Sequence, residues 1–393
     1  MKKVFLFSLF LVLGLVLSQC LPVWLGEAFL TAEKVAKTLM FVCLAFIMIN
    51  VGREFELDKT KWRSYAADYF IAMATAALPW FMIAIYYVFI LPADLFGNWD
   101  AWKENLLLSR FAAPTSAGIL FTMLAAAGLR REWIYKKTQV LAIFDDLDTI
   151  LLMIPLQIFM IGFKWQLFAV VIVITFLLVI GWKKLGTIRL SQTWKSILFY
   201  AVCIVAVTES IYLLTKWMMG ADGAIHIEVL LPAFVLGMVM KTVHQHGNRD
   251  EKITGMISYL FMFLVGLSTP QFIGIDHGHR ITEAVGIIAA QPMPSWEVLV
   301  VHVIVVTLLS NLGKMFPLFF YRDRQLEERL ALSVGMFTRG EVGAGIIVIA
   351  MGYNLGGPAL IISVLSLVLN LLLTGGFVVI VKRLAQQAYG LKE

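Results

Sequence analysis

Long apolar runs separated by short polar connections fill the chain from end to end. They fall near 4–26, 36–51, 67–91, 106–128, 139–162, 165–182, 196–215, 228–243, 254–272, 298–320, 330–352 and 358–382. A helix rises about 1.5 Å per residue, so runs of roughly 17 to 25 residues match a hydrocarbon core about 30 Å thick. The pattern predicts an all-α polytopic membrane protein with about twelve transmembrane helices. Basic residues occupy alternate connections. Lys2 and Lys3 come first, then Arg53, Lys59, Lys61 and Arg63, then Arg130, Arg131, Lys136 and Lys137. Lys183, Lys184, Arg189 and Lys195 follow, then Lys241, Arg249 and Lys252, then Arg322, Arg324 and Arg329, and finally Lys382, Arg383 and Lys392. The connections between them, such as Asp94 to Glu104 and Tyr353 to Pro358, are acidic or nearly uncharged. Lysine and arginine collect on the cytoplasmic side, so both termini are expected in the cytoplasm and the protein in a bacterial inner membrane.

Composition narrows the class. Of 393 residues 60% are hydrophobic and 15% charged, and the mean hydropathy of +0.84 excludes a soluble globular domain. The net charge of +6 is spread over loops rather than gathered in a patch, so the expected partner is the lipid bilayer and not nucleic acid. Cys20, Cys43 and Cys203 lie in apolar segments without metal-ligand spacing and read as packing residues. Met1-Lys2-Lys3 before an apolar run has the outline of a signal peptide, and Leu17-Ser18-Gln19-Cys20 that of a lipoprotein cleavage site. Bulky Gln19 and continued apolarity to about Leu30 favour a first span instead. No Pro/Ser linker interrupts the pattern, which points to a single membrane domain over 1–393. The longest polar connection, about Pro270 to Trp296, falls outside the membrane on the non-cytoplasmic side.

Charges inside the apolar runs carry the candidate chemistry. Phe144-Asp145-Asp146-Leu147-Asp148-Thr149 places three carboxylates in the fifth run. An ionised side chain at the centre of a membrane helix costs at least ~2.5 kcal/mol, so such groups face water or a partner charge. Helical neighbours diverge by about 100°, so Asp145 and Asp146 cannot share a face, whereas Asp145 and Asp148 can. One carboxylate is then free to take a structural partner while the next faces a pore; the blander reading puts one or more of them at a wet helix end. Lys314, in Ser310-Asn311-Leu312-Gly313-Lys314 of the tenth run, is expected to pair with a fifth-span carboxylate, or else to snorkel toward Arg322. Arg339 and Glu341 sit mid-span in the eleventh run as support for a broken helix. Arg110 either filters ions at an entrance or snorkels. Glu209 reads as a satisfied interhelical hydrogen bond; His302, His244 and His246 are candidate pH sensors, the last two reading more simply as part of a solvated loop.

Two runs are interrupted. Ala113-Pro114-Thr115-Ser116-Ala117-Gly118 breaks the fourth and Thr338-Arg339-Gly340-Glu341-Val342-Gly343 the eleventh. Proline removes a helix donor, and clustered Gly, Thr and Ser tolerate an unwound backbone that must face protein or water. The second span ends Ile47-Met48-Ile49-Asn50-Val51-Gly52-Arg53 and the ninth, crossing the other way, carries Phe261-Met262-Phe263-Leu264-Val265-Gly266. Interrupted helices at matching places in two inverted halves point to a transporter site. The expected repeats are about 1–162 and 226–384, joined by linker helices at about 163–225.

With these residues in place, the chain resembles the monovalent cation/proton antiporter superfamily, the sodium/proton exchangers and their potassium-efflux relatives. The matching stretches are Gly52-Arg53-Glu54-Phe55-Glu56-Leu57, Ala113-Pro114-Thr115-Ser116, Phe144-Asp145-Asp146, Leu312-Gly313-Lys314 and Thr338-Arg339-Gly340-Glu341-Val342, in the family's order. The resemblance implies that Asp146 alternately carries the cation and protons, that Asp145 pairs with Lys314, and that Thr115, with Ser116 and nearby carbonyls, completes a sodium shell. It also implies crossed broken helices, a core domain beside a dimerisation scaffold, a homodimer, no cofactor beyond the transported Na+ and H+, and the electrogenic branch that exchanges two protons for one sodium ion. Thr338 stands where proline is usual, Arg53 where leucine is usual, and Asp148 is extra; sodium, lithium and potassium all stay open.

Competition between a proton and a small hard cation at one carboxylate couples opposite flows when the site opens to one side at a time. The expectation is an antiporter serving pH homeostasis, not an enzyme. A sodium-coupled symporter of similar fold and a potassium/proton efflux system are the alternatives. A passive channel lacks a filter motif here, and an aspartyl protease needs facing carboxylates from different helices.

Overall fold

In hydrocarbon every backbone N–H and C=O has to be satisfied within the protein, which leaves helices as the form for the apolar runs. The computed structural model describes residues 2–26, 28–54, 62–91, 93–130, 132–161, 166–184, 186–219, 229–240, 248–268, 291–352 and 355–390. Among the described residues there is no strand beyond an isolated bridge between Ile188 and Met240. The helices are α1 (Lys2–Leu25), α2 (Ala28–Glu54), α3 (Trp62–Phe89), α4 (Trp99–Ser109), α5 (Ala117–Ala126), α6 (Trp133–Ile161) and α7 (Gln166–Lys183). They continue with α8 (Trp194–Met219), α9 (Leu230–Val239), α10 (Asn248–Leu267), α11 (Trp296–Gly313), α12 (Leu326–Gly335), α13 (Glu341–Gly352) and α14 (Gly357–Tyr389). Among the described residues each of the twelve apolar runs carries one helix, except that the fourth is split into α4 and α5 and the eleventh into α12 and α13. The chain is an all-α polytopic membrane protein.

Several helices outrun the apolar stretches that predicted them. α14 continues past Lys382 to Tyr389 and stops where Gly390 takes a left-handed conformation, φ 61°, the usual backbone at a helix C-terminus. From Leu107 to Phe121 every residue is buried, as befits a span with an unwound centre and polar groups that lipid cannot satisfy.

The helices form two compact units. One comprises Glu27–Thr60 and Gln157–Leu264 and contains α2, α7, α8, α9 and most of α10. Its centre is the close crossing of α2 and α9. A Cβ on Gly52 would run into the carbonyl of Phe234, and one on Gly237 into that of Ile49. Small residues at a crossing let membrane helices pack backbone to backbone. The neighbouring Arg53 is buried; its Nη1 donates to Asn50 Oδ1 at 3.0 Å and its Nη2 to Gln192 Oε1 at 2.9 Å. That is how this chain accommodates a buried charge at the end of α2.

The other unit comprises Met1–Gly26, Lys61–Leu156 and Val265–Glu393 and contains both broken helices. α3, α11 and α14 are stitched together by buried hydroxyls and amides: Tyr87 Oη with Ser363 Oγ at 2.7 Å, Thr307 Oγ1 with Ser366 Oγ at 2.9 Å, and Asn370 Nδ2 to Ser310 Oγ at 3.5 Å. The C-terminal end of α11 comes so close to α3 that a Cβ on Gly313 would lie 2.5 Å from Pro79 N. Where α3, α6 and the α11–α12 turn meet, Asp68 accepts from Lys137 Nζ at 2.8 and 3.1 Å and from Tyr321 Oη at 2.7 Å. Burial and the adjacent Asp68 carboxylate push the Tyr321 phenol up, so it stays protonated and donates.

Candidate functional site

Pro114 and the residues around it prevent α4 from running straight into α5. The helix tightens into a 3-10 turn at Arg110–Ala112, the backbone unwinds through Ala113 to Ser116, and α5 restarts with the Ser116 hydroxyl accepting from Ile119 N at 3.3 Å. α12 stops at Gly335 and α13 begins at Glu341. The two gaps meet. Ser116 N donates to Thr338 O at 3.0 Å, Thr115 Oγ1 donates to Met336 O at 3.1 Å, and a Cβ on Gly340 would lie 2.7 Å from Ser116 Oγ. Each gap thereby satisfies backbone groups that the other leaves open.

Asp145 projects from α6 to this meeting point. Lys314, the residue that caps the C-terminus of α11, donates from Nζ to both of its carboxylate oxygens at 2.9 Å, and Thr115 N donates to Oδ2 at 2.6 Å. Both charged side chains are 0% exposed. A buried pair of this kind holds together because each charge is compensated and hydrogen-bonded; loss of either partner strands the other. The snorkelling alternative for Lys314 is thereby excluded. Arg339, also fully buried, donates from Nη1 to Met336 O at 3.0 Å and Thr338 O at 3.4 Å, and from Nη2 to the carbonyl and hydroxyl of Ser310 at 3.3 and 3.2 Å. It thus binds the second gap to α11 one turn before Lys314.

Of the residues singled out from the sequence, Asp145, Lys314 and Thr115 are in direct contact, and Ser116 and Arg339 join them through the second gap. The side chains of Asp146 and Glu341 lie outside the described residues, as do His244 and His246. Arg110 does not snorkel: it is 0% exposed, its guanidinium is 4.4 Å from the centre of the Trp80 ring, and Nη2 donates to the carbonyl of Asp148 at 3.0 Å. Asp148 is buried and not at a wet helix end. Glu209 is half-exposed on α8, and His302 Nδ1 bonds Tyr86 Oη at 2.7 Å. Sequence reasoning missed Ser310 as the polar partner of Arg339, and Asn370 as the amide that bonds Ser310 in turn. Their signal was present, one a helical turn before Lys314 and the other a lone amide in the last apolar run.

The profile of the family described as sodium/hydrogen exchanger, transmembrane, matches residues 2–384. The chain belongs to the sodium/hydrogen exchanger family. Membership makes it an integral membrane protein of a cation/proton antiporter class. The fold is similar to that of the sodium proton antiporter MjNhaP1 from Methanocaldococcus jannaschii at pH 8, with a TM-score of 0.58 over 98% of this chain and 92% of that chain. Identity over the match is 14%, so this likeness speaks to the fold alone. None of the curated proteins matches the chain in sequence.

Proposed function

We propose that this exchanger moves protons against a monovalent cation by competition at Asp146, with sodium the cation that best suits the site. The observation that carries the reading is the fully buried Lys314–Asp145 pair at the meeting point of the two gaps. Asp145 already accepts three hydrogen bonds there. Of the two remaining carboxylates on α6, the family resemblance assigns the cargo to Asp146, turned by about 100° from Asp145 on an ideal helix. A carboxylate holds a proton or a small cation but not both, and oxygen ligands suit a hard ion such as sodium or lithium. Thr115 Oγ1 spends its proton on Met336 O and keeps lone pairs for a cation, with Ser116 beside it. Arg339 and Glu341 support the second gap. Protonation or ion entry that releases Asp145 from Lys314 adds a second titrating group, which supports two protons per sodium ion.

Alternating access would be carried by α3 to α6 and α11 to α14, which hold all of these residues, with the remaining helices as scaffold. A homodimer in a bacterial inner membrane with both termini cytoplasmic completes the reading. The test is proton movement in sealed proteoliposomes carrying a pH dye, pulsed in turn with sodium, lithium and potassium chloride. A cation-specific collapse of the pH gradient that disappears in Asp146→Asn is expected. Exchange that persists in that variant sinks the role of Asp146. Silence toward all three ions, with sodium-dependent uptake of an organic anion instead, selects a symporter.

A further inference from the structure

We propose that Asp148 is the counter-charge of Arg110 and that this pair sets how tightly the cation site binds its ion. The inference rests on the antiport reading above and adds two residues to it. Arg110 is buried in the span that contains the first gap, yet its bonded partner there is a backbone carbonyl, that of Asp148. Its Nε and Nη1 have no hydrogen-bond partner among the described residues. A guanidinium in that position is costly unless an anion lies close enough to compensate it through space. Asp145 is committed to Lys314 and Thr115 N. Asp148 is not so committed. The residue is 2% exposed, the Tyr69 hydroxyl hydrogen-bonds its carboxylate, and Oδ2 has no partner among the described residues.

The charges act on one another across the site: Arg110 feels Asp145 first and Asp148 next, Asp148 is repelled by Asp145 and attracted by Arg110 and then Lys314, and Arg339 interacts with Asp145. Among the described side chains of this cluster, three cations (Arg110, Lys314, Arg339) face two carboxylates (Asp145, Asp148). Deleting Asp148 alone leaves three against one. A sodium ion arriving at the cation site then meets one more unbalanced positive charge, in a medium far less polarisable than water. Deleting Arg110 alone has the opposite sign. Deleting both restores the balance. A purely structural role for either residue gives no such pattern, because two packing defects in contact do not cancel in ion affinity.

The experiment measures cation KM and maximal rate of dye-reported exchange in proteoliposomes for the wild type, Asp148→Asn, Arg110→Gln and the double variant. Asp148→Asn is expected to raise KM on the order of tenfold, with the maximal rate changed by less than about threefold. Arg110→Gln is expected to lower KM, and the double variant to return it to within about threefold of the wild type. An unchanged KM in Asp148→Asn, or a double variant as weak as the single one, overturns the pairing while wild-type exchange keeps the antiport reading intact. Wild-type protein that exchanges nothing overturns that reading and the pairing with it. If Asp148→Asn does not fold, Arg110→Gln decides alone: a lower KM supports the pairing, and an unchanged or higher one refutes it.

Discussion

Lys314 has no water to fall back on. Its ammonium group and the Asp145 carboxylate are both sealed from solvent, and among the described residues the carboxylate's other hydrogen bond comes from one backbone N–H, that of Thr115. Truncation to alanine therefore removes more than an attraction, because it leaves a carboxylate buried with one bond where it had three. Breaking a buried pair from one side typically costs about 3–5 kcal/mol, whereas removing both charges together is far milder. Lys314→Ala is expected to lower the thermal unfolding temperature of the detergent-solubilised protein by many degrees. Asp145→Asn combined with Lys314→Gln should recover most of the loss. Tryptophan fluorescence during a thermal ramp reads both; a double variant no more stable than Lys314→Ala would show that the pair is not what holds this region together. Much of this chemistry was legible residue by residue. Charges in apolar runs are rare enough that each one marks a place where something must compensate it. What compensates it was less legible, because the choice among carboxylates, carbonyls and hydroxyls is made in three dimensions. Arg110 is the example: nothing near it in the chain announces that its partner is the carbonyl of Asp148 and its neighbour the Trp80 ring.

At the scale of elements, the gaps in the fourth and eleventh runs were readable because proline and clustered small polar residues have few other uses in a membrane span. The register of one helix against another was not readable, since it depends on contacts that sequence spacing does not encode. Gly313 shows the consequence. It ends α11 against the backbone of Pro79 in α3, and a Cβ there would lie 2.5 Å from Pro79 N and 2.6 Å from its Cα. Backbone cannot step aside as a flexible side chain can, so Gly313→Ala must push α11 away from α3. The following residue is Lys314, and its ammonium group would move with the helix. Overpacking of this kind costs about 1–3 kcal/mol, and here the displaced group is half of the buried ion pair. Gly376, inside α14, offers the contrast, for a Cβ there meets nothing within 4 Å. Gly376→Ala should leave stability unchanged or raise it by up to about 1 kcal/mol, while Gly313→Ala lowers it and slows exchange. Equal effects from the two substitutions would mean that the α3–α11 contact does not position Lys314.

At the scale of the whole molecule, the distribution of lysine and arginine makes a parity argument that the helices alone cannot. Gly97 lies in the acidic connection after the third apolar run and Asp323 in the basic connection after the tenth. The fourth through tenth runs separate them, which makes seven crossings, an odd number, and the two positions must then face opposite sides. Both are exposed, so a cysteine at either should react with a maleimide that cannot cross the membrane whenever its side is accessible. The native thiols complicate labelling little once replaced, since Cys43 is buried, Cys20 half-buried and only Cys203 exposed. With positive connections inside, Gly97→Cys should label in intact cells and Asp323→Cys only after permeabilisation. The reverse pattern would invert the protein and place both termini outside. Labelling of both from one side would break the parity, and with it the count of one crossing for each apolar run, including the two that carry a gap.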